Sequence, residues 1–319
     1  MKNKTSIILL ILLMVTACGQ KKAEQFKALP FPNIELPGMM TDAQDITDYV
    51  AEHFWDRFLD PERTYPSDSL LISGVDKNEV EQMFSNWIAI LERTDLKMAE
   101  KAISRAYNMA LACEEKDTSS NAFESITGLA DKYLYDANSP ARNEEYYLYF
   151  VRRMAEYKGY SPEVRARYAY YAENCSLNRL GTEATDFRFK DKTGKTHTLH
   201  GIKAPLTLLF FSNPGCEACM SIINMLKEDP QIAEKISSGE LAVLNIYIDE
   251  DLAGWKEYMP VYPEEWYNGF DPDLAIRTDN LYNVRAIPSL YLLDQDKRVL
   301  MKDAPENKVI QQILKGRLQ

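Results

Sequence analysis

The chain has 319 residues, of which 48 are acidic and 37 are basic, so its formal net charge at pH 7 is -11. This acidic balance argues against nucleic acid as a partner, because such binding depends on Lys and Arg neutralising phosphates. A hydrophobic fraction of 45% with 27% charged residues is typical of packed globular proteins, and the length predicts two domains. With three histidines in all, chemistry that needs a histidine cluster has little material.

The first residues have the pattern of a secretory signal. Lys2 and Lys4 precede a nine-residue apolar run that ends at Val15, which is shorter than the roughly 20 residues of a membrane-spanning helix. The Val-Thr-Ala-Cys sequence that ends at Cys18 resembles the lipobox of bacterial lipoproteins, in which the Cys is lipidated and becomes the new N-terminus. The resemblance implies a signal peptide over residues 1–17 and a membrane anchor through lipid on Cys18. The alternative is an ordinary signal peptidase site that leaves Cys18 as a free thiol.

A lipidated and exported chain would work in a compartment where disulfides persist. The residue after Cys18 is glycine, and not the aspartate that favours retention in the inner membrane of enteric bacteria. We therefore expect the periplasmic side of the outer membrane rather than the inner membrane or the cell surface.

The next part of the chain is a tether followed by a helical domain. Residues 18–40 are polar and then punctuated by prolines, which predicts an extended tether. Between residues 41 and 179, six stretches carry apolar side chains at helical spacing, and Ser161 before a proline marks one helix start. The sequence therefore predicts an all-α domain over residues 41–179. Its many tyrosines, also at helical spacing, indicate core rather than a partner groove.

Two cysteines of the helical domain, Cys113 and Cys175, fall on apolar helix faces. A Cys in that position usually behaves as a small buried hydrophobic residue with a free thiol. A structural disulfide that joins the two helices is the alternative, since an exported protein can keep one.

Beyond Gly181 the period of the apolar residues changes. Residues 187–189 and 196–199 flank a turn-forming sequence and predict a hairpin. Leu206–Phe211 is a continuous apolar run, which is typical of a central strand that is covered on both faces. The other predicted elements are strands over residues 241–248, 289–293 and 298–301 and helices over residues 220–227, 249–258, 271–277 and 305–318. The pattern predicts an α/β domain over residues 182–319.

A CxxC motif, Cys216 to Cys219, stands where the predicted central strand gives way to a helix. The helix start offers unpaired N–H groups and a positive dipole end, and both favour a thiolate at Cys216. Cys216 would attack a disulfide and Cys219 would resolve the mixed disulfide, so the pair itself is the redox group and no separate cofactor is expected. Glu217 opposes the thiolate by its charge, which makes the dithiol a better reductant and favours the reductase direction.

A second motif places Ile287 and Pro288 at the entry to a predicted strand. With both motifs, residues from 183 onward resemble the thioredoxin superfamily, in particular the TlpA-type thiol-disulfide reductases that work outside the bacterial cytoplasm. The resemblance implies a central mixed sheet flanked by helices, a cis bond before Pro288, and pairing of the Ile287 backbone with the substrate. It also implies protein thiol or disulfide clients and a redox partner protein. The helical domain resembles modules of unknown function that precede thioredoxin-like domains in exported proteins of some anaerobic bacteria.

The sequence departs from the pattern of the family at four points. Pro214 and Gly215 stand where a tryptophan is common just before the first Cys. Ala218 replaces a proline before the second Cys, Phe210 stands where thioredoxin has a buried carboxylate, and Ile222 replaces a glutamate of some TlpA-type reductases. Glu217 or water is then left to move the proton during resolution.

Two other functions stay open at this point. The first is a lipid-anchored, partner-binding protein whose thioredoxin-like domain is only structural. The second is a zinc site formed by His197, His200 and the two CxxC cysteines. Strand positions three apart face opposite sides, which argues against one metal ion taking both histidines, and we expect no metal.

Overall fold

The computed structural model of the protein describes residues 26–65 and 70–315. The predicted signal peptide over residues 1–17 and the predicted lipidation site Cys18 lie outside the described residues. Within the described ranges, no helix combines the length and the apolar character needed to span a bilayer.

The N-terminal domain is helical, as its apolar spacing predicts. Its helices are α1 Ala43–His53, α2 Lys77–Leu91, α3 Leu96–Lys116, α4 Ala122–Ala130, α5 Glu144–Glu156 and α6 Pro162–Cys175. A π-helical turn, Asp131–Tyr135, continues α4, and a short hairpin of β1 Leu71–Ile72 and β2 Val75–Asp76 precedes α2. Side-chain caps begin five of these helices, at Asp42, Asp76, Asp95, Asn143 and Ser161. Buried aromatic side chains such as Trp55, Phe84, Trp87 and Phe150 form the centre of one continuous core.

The described part of the predicted tether, residues 26–40, contacts this domain at several points. The ring of Phe31 stacks on that of Phe58, with 5.1 Å between centroids. The Phe31 amide donates to Glu79 Oε1 at 2.8 Å, and the Leu29 amide donates to the Gly74 carbonyl oxygen at 2.8 Å. Proline content indicates an extended backbone, but it does not show that one aromatic side chain can anchor that backbone to a neighbouring core.

Cys113 and Cys175 are free thiols, and both are buried. The Cys113 thiol, in the last turn of α3, donates to the Leu59 carbonyl oxygen at 3.5 Å. Cys175 is the last residue of α6, and its carbonyl oxygen accepts from Lys302 Nζ at 2.8 Å. The alternative of a Cys113–Cys175 disulfide is therefore wrong, because both thiols are free.

The second domain is built on a seven-stranded mixed sheet. Its strands are β3 Arg188–Asp191, β4 Thr196–Thr198, β5 Leu206–Phe211, β6 Leu241–Tyr247, β7 Tyr267–Phe270, β8 Ser289–Asp294 and β9 Val299–Met301, in the spatial order β4-β3-β7-β6-β5-β8-β9. The central strand β5 pairs in parallel with β6 and antiparallel with β8, and it is buried at every position. These pairings confirm the mixed sheet that the resemblance implies.

Helices cover this sheet, and apolar layers lie on both of its faces. They are α7 Glu217–Glu228, α8 Pro230–Ser237, α9 Leu252–Tyr258, α10 Ala275–Thr278 and α11 Glu306–Lys315. Three details of the sequence prediction are corrected: α8 and β7 were not predicted, and the helix predicted over residues 271–277 is confined to α10. The helix begins later than predicted because the Asp271 carboxylate accepts from the Ile276 amide at 2.7 Å, so the residues after Asp271 form a loop before α10.

Candidate active site

The CxxC motif lies at a tight turn between the central strand and α7. Strand β5 ends at Phe211, and Cys216 is the N-cap residue of α7. Gly215 has φ of +72°, in the left-handed region that side chains with a Cβ disfavour. The glycine therefore allows the chain to reverse just before Cys216, which places that residue at the first free amides of the helix.

Cys216 and Cys219 form a disulfide across the first turn of α7, with 5.2 Å between their Cα atoms. Cys216 is half-buried, whereas Cys219 is 1% exposed. The Cys219 backbone N–H donates to Cys216 Sγ over 3.1 Å. The half-exposed sulfur thus already accepts the kind of amide hydrogen bond that would stabilise a thiolate after reduction.

The second motif reaches the same end of the sheet. The peptide bond between Ile287 and Pro288 is cis, the geometry that the family resemblance implies. Ser289, the next residue, begins β8 and is paired with Phe211 at the end of β5. Because β5 and β8 are antiparallel neighbours, the end of one and the start of the other lie side by side. The sheet therefore brings the CxxC turn and the cis-proline loop together.

A groove of about 260 Å³ runs between these two motifs. The active-site helix contributes Ala218 and Ile222 to its lining, and the loop contributes Ile287 and Pro288. A largely apolar groove beside the disulfide has the shape and the chemistry to take a segment of polypeptide.

The surroundings of Cys219 are apolar. Cys219, Phe210 and Ile222 belong to one buried cluster, so the positions where related proteins carry a carboxylate are filled here by hydrocarbon. Glu217 is exposed in the first turn of α7. Its role in moving a proton stays a prediction.

A buried polar network at the start of the CxxC loop was missed by the sequence analysis. Ser212 Oγ donates to Asn245 Oδ1 at 2.5 Å, and Asn245 Nδ2 donates to Asn268 Oδ1 at 3.1 Å. The Tyr262 hydroxyl lies 3.5 Å from Ser212 Oγ, and burial raises the pKa of Tyr262. The signal in the sequence was Asn245, a polar residue within an otherwise apolar strand. The network fixes the residue at which the chain leaves the sheet toward Cys216.

No sequence pattern indicated a role for Arg285, which lies in the loop before Pro288. Its side chain is 12% exposed and forms ion pairs with Glu144 and Asp303. Glu144 and Glu145 begin α5, and acidic residues in a first helical turn are ordinarily explained by the helix dipole alone. Because the helix dipole already accounts for an acid at this position, the sequence gives no sign that Glu144 contacts Arg285 of the other domain.

The two histidines of the zinc alternative have separate partners. His197 Nε2 lies 2.8 Å from Asp191 Oδ2, and His200 Nε2 lies 2.8 Å from the Ala184 carbonyl oxygen. Among residues 26–65 and 70–315, no group of three or more His, Cys, Asp or Glu side chains is arranged to hold a metal ion.

Two protein-family models match the chain. The model described as a domain of unknown function, DUF5106, matches residues 14–178, and a model described as thioredoxin-like matches residues 205–299. A search of the curated proteins found no match.

Solved structures match either most of the chain or less than half of it. A thioredoxin-like protein from Bacteroides caccae is 33% identical over 91% of this chain and 100% of its own, with a TM-score of 0.78. The C-terminal domain of an uncharacterized protein from Bacteroides fragilis is 48% identical over 42% of this chain and 96% of its own, with a TM-score of 0.41. The thioredoxin domain of a thiol-disulfide oxidoreductase from Bacteroides vulgatus is 18% identical over 42% of this chain and 96% of its own, with a TM-score of 0.36.

Proposed function

The chain belongs to the thioredoxin-like family and carries an N-terminal domain of unknown function, and from this premise we propose that it is a thiol-disulfide oxidoreductase that reduces protein disulfides. The observation that carries the proposal is the position of Cys216 Sγ. This sulfur lies at the N-terminus of a twelve-residue helix, accepts the Cys219 amide, and is half-exposed. These are the conditions under which a cysteine is nucleophilic near neutral pH.

The proposed reaction begins from the reduced dithiol. The Cys216 thiolate attacks one sulfur of a client disulfide, so that a mixed disulfide forms and the other client sulfur leaves as a thiolate and takes a proton from water. Cys219 then gives up its proton to water, and its thiolate attacks Cys216 Sγ. The second client sulfur leaves, the internal disulfide forms, and two electrons have passed to the client. A redox partner protein restores the dithiol by the same steps in reverse.

The two cysteines are suited to different steps because their surroundings differ. The helix N-terminus stabilises negative charge on Cys216. Cys216 is therefore the sulfur that attacks the client first, and it is the last leaving group when the partner protein restores the dithiol. Cys219 is buried beneath it and reaches only the sulfur of Cys216, so it resolves the mixed disulfide instead of attacking clients. The backbone of Ile287, which lines the groove, would pair with the client segment that carries the disulfide.

The proposed location follows from the N-terminal sequence. A lipid on Cys18 would hold the domain at the periplasmic side of the outer membrane, where clients meet oxidising conditions. Replacing Cys18 with Ala is expected to abolish lipid incorporation and to release the chain from the membrane fraction. Retention of the lipid on this variant would contradict the proposed anchor.

The proposed function is tested by trapping the mixed disulfide in cells. In Cys219→Ser the second step cannot occur, and client proteins should accumulate on Cys216 as adducts that a reductant releases. The double variant Cys216→Ser with Cys219→Ser is the matched control and should carry none. A partner-binding protein with a structural disulfide would give no such adducts in either variant. A reduction potential near the oxidising extreme of about -120 mV would contradict the reductase direction.

A further inference from the structure

A buried cluster of charged side chains connects the helical domain to the loop that carries Pro288. Glu144, the first residue of α5, is 2% exposed. Its Oε1 lies 3.1 Å from Arg285 Nε, and its Oε2 lies 2.8 Å from Lys302 Nζ. Asn283 Nδ2 also donates to Glu144 Oε1 at 2.6 Å. One carboxylate of the helical domain thus contacts three side chains of the thioredoxin-like domain.

The cluster holds the cis-proline loop from both sides of Pro288. Arg285, three residues before it, donates to Asp303 Oδ2 at 2.8 Å, and Ser289, the residue after it, donates to Asp303 Oδ1 at 2.8 Å. The position of Pro288 is therefore fixed by two residues that share one carboxylate. Arg285 thus faces Glu144 with its Nε and Asp303 with its Nη2.

The helical domain supports the same cluster at two further points. The Arg285 guanidinium lies over the ring of Tyr135, 4.4 Å from its centroid, and Tyr135 ends the π-helical turn. Arg142 Nε donates to the Asp303 carbonyl oxygen at 2.8 Å. Asn138 and Arg142 also line the groove that contains Pro288 and Ala218. The helical domain therefore contacts both the support of the loop and the groove itself.

The charges of the cluster balance within it. Glu144 and Asp303 face Arg285 and Lys302, and all four are buried or nearly so. Removing one charge from such a group leaves a partner without compensation, and the partner must then move or rearrange. A change at Glu144 is therefore transmitted to Arg285 and, through Asp303, to the residues on both sides of Pro288.

We propose that Glu144 is a positioning residue of the redox site, which holds the Ile287–Pro288 segment for polypeptide clients through Arg285 and Asp303. The inference rests on the proposed function and deepens it, because it gives the helical domain a part in client recognition. A polypeptide client needs the backbone of Ile287 as well as the sulfur of Cys216. A small disulfide needs only the sulfur.

The test compares two substrates in the full chain carrying Glu144→Gln. With insulin as the polypeptide disulfide, we expect KM to rise about tenfold, since displacement of a positioning segment weakens productive binding. With a small aromatic disulfide such as dithionitrobenzoate, the rate should stay within about twofold of the parent chain, because no backbone pairing is involved.

Glu145→Gln is the matched control. Glu145 follows Glu144 in the same helical turn, is also 2% exposed, and pairs with Arg179 at 2.6 Å, outside the cluster. This variant makes the same change of carboxylate to amide at the same boundary between domains. It should leave the KM for insulin close to that of the parent chain.

Several outcomes would overturn the inference. They are an unchanged KM for insulin in Glu144→Gln, an equal rise in Glu145→Gln, or an equal loss with both substrates. If Glu144→Gln does not fold, Arg285→Lys replaces it, since this variant keeps the charge but cannot reach both carboxylates. Arg285→Lys must then raise the KM for insulin and leave the rate with the small disulfide unchanged. A parent chain that reduces neither substrate would instead overturn the proposed function, whereas an active parent chain with unchanged variants overturns only this inference.

Discussion

The cysteines of the two domains lie at opposite ends of helices. Cys216 caps the N-terminus of α7, and its sulfur accepts a backbone amide at 3.1 Å. Cys113 lies in the last turn of α3, and its thiol donates to a backbone carbonyl oxygen at 3.5 Å. Cys175 ends α6, also at the negative end of a helix dipole. Burial raises the pKa of Cys113 and Cys175 above that of an ordinary thiol. Under the proposed function, the end of the helix and access to solvent decide which cysteine reacts.

The largest expected effect comes from removing the reactive sulfur. Cys216→Ser should lower the rate of insulin reduction by about a thousandfold or more, because the nucleophile is lost while the fold is kept. Cys113→Ser is the control and should stay within about twofold, since its sulfur is not part of the site. An assay of insulin turbidity measures both. A comparable loss of rate in the two variants would show that the position of a cysteine on its helix and its burial do not determine its reactivity.

The buried thiols should matter for stability instead. Cys175→Ser places a hydroxyl in a fully buried site and should lower the free energy of unfolding by about 2 kcal/mol. Cys113→Ser should cost less, about 1 kcal/mol, because the new hydroxyl can keep donating to the Leu59 carbonyl oxygen. Urea denaturation of the oxidised protein measures both values. The reverse order of the two losses would contradict this description of their surroundings.

The pH dependence of stability has a definite sign. Folding raises the pKa of Cys113 and Cys175, so their protons are held more tightly in the folded chain than in the unfolded one. Their contribution to stability is complete below the ordinary thiol pKa and is lost as the pH rises through the raised values. Between pH 7 and pH 9 the loss should be about 1 kcal/mol or less for each thiol. The double variant Cys113→Ala with Cys175→Ala should lack this loss. If its free energy of unfolding changes with pH as that of the parent chain does, the two thiols are not the cause.

The smallest expected effect concerns the charge beside the reactive sulfur. Glu217→Gln removes a negative charge next to Cys216, so the thiolate should become more favourable and alkylation at pH 7 about two- to threefold faster. Glu228→Gln, at the other end of α7, is the matched control and should not change that rate. Equal rates in both variants would mean that Glu217 is too well solvated to influence the sulfur.

Local patterns in the sequence predicted most of the helices and the position of the CxxC turn. Helical spacing identified the six α-helices of the first domain, and Ser161 caps α6 as its sequence predicts. Strand β7 was not predicted because it has only four residues and includes the pair Asn268-Gly269, which is typical of a turn. A Cβ on Gly269 would lie 2.5 Å from the Phe189 ring and 2.9 Å from the Lys190 carbonyl oxygen, so the glycine allows β3 to approach. That requirement becomes visible only when the two strands are side by side.

The contacts between the domains could not be predicted from the sequence. Glu144 and Arg285 are far apart in the chain, and each has a sufficient local explanation, as a first-turn acid and as a loop cation. Only the folded chain shows that these residues compensate each other in a buried cluster. The packing of Phe31 on Phe58 escaped prediction for the same reason, since a proline-rich segment carries no periodic pattern.

Competitive alkylation of the reduced, folded protein at pH 7 tests whether Cys216, at the helix N-terminus, is the reactive cysteine of the chain. Iodoacetamide labelling followed by mass spectrometry gives a separate rate for each cysteine peptide. We expect Cys216 to react at least about tenfold faster than the same residue in the unfolded chain, whereas Cys113 and Cys175 stay unlabelled until unfolding. Labelling of Cys216 no faster than in the unfolded chain, or no faster than that of the two buried thiols, would contradict this expectation.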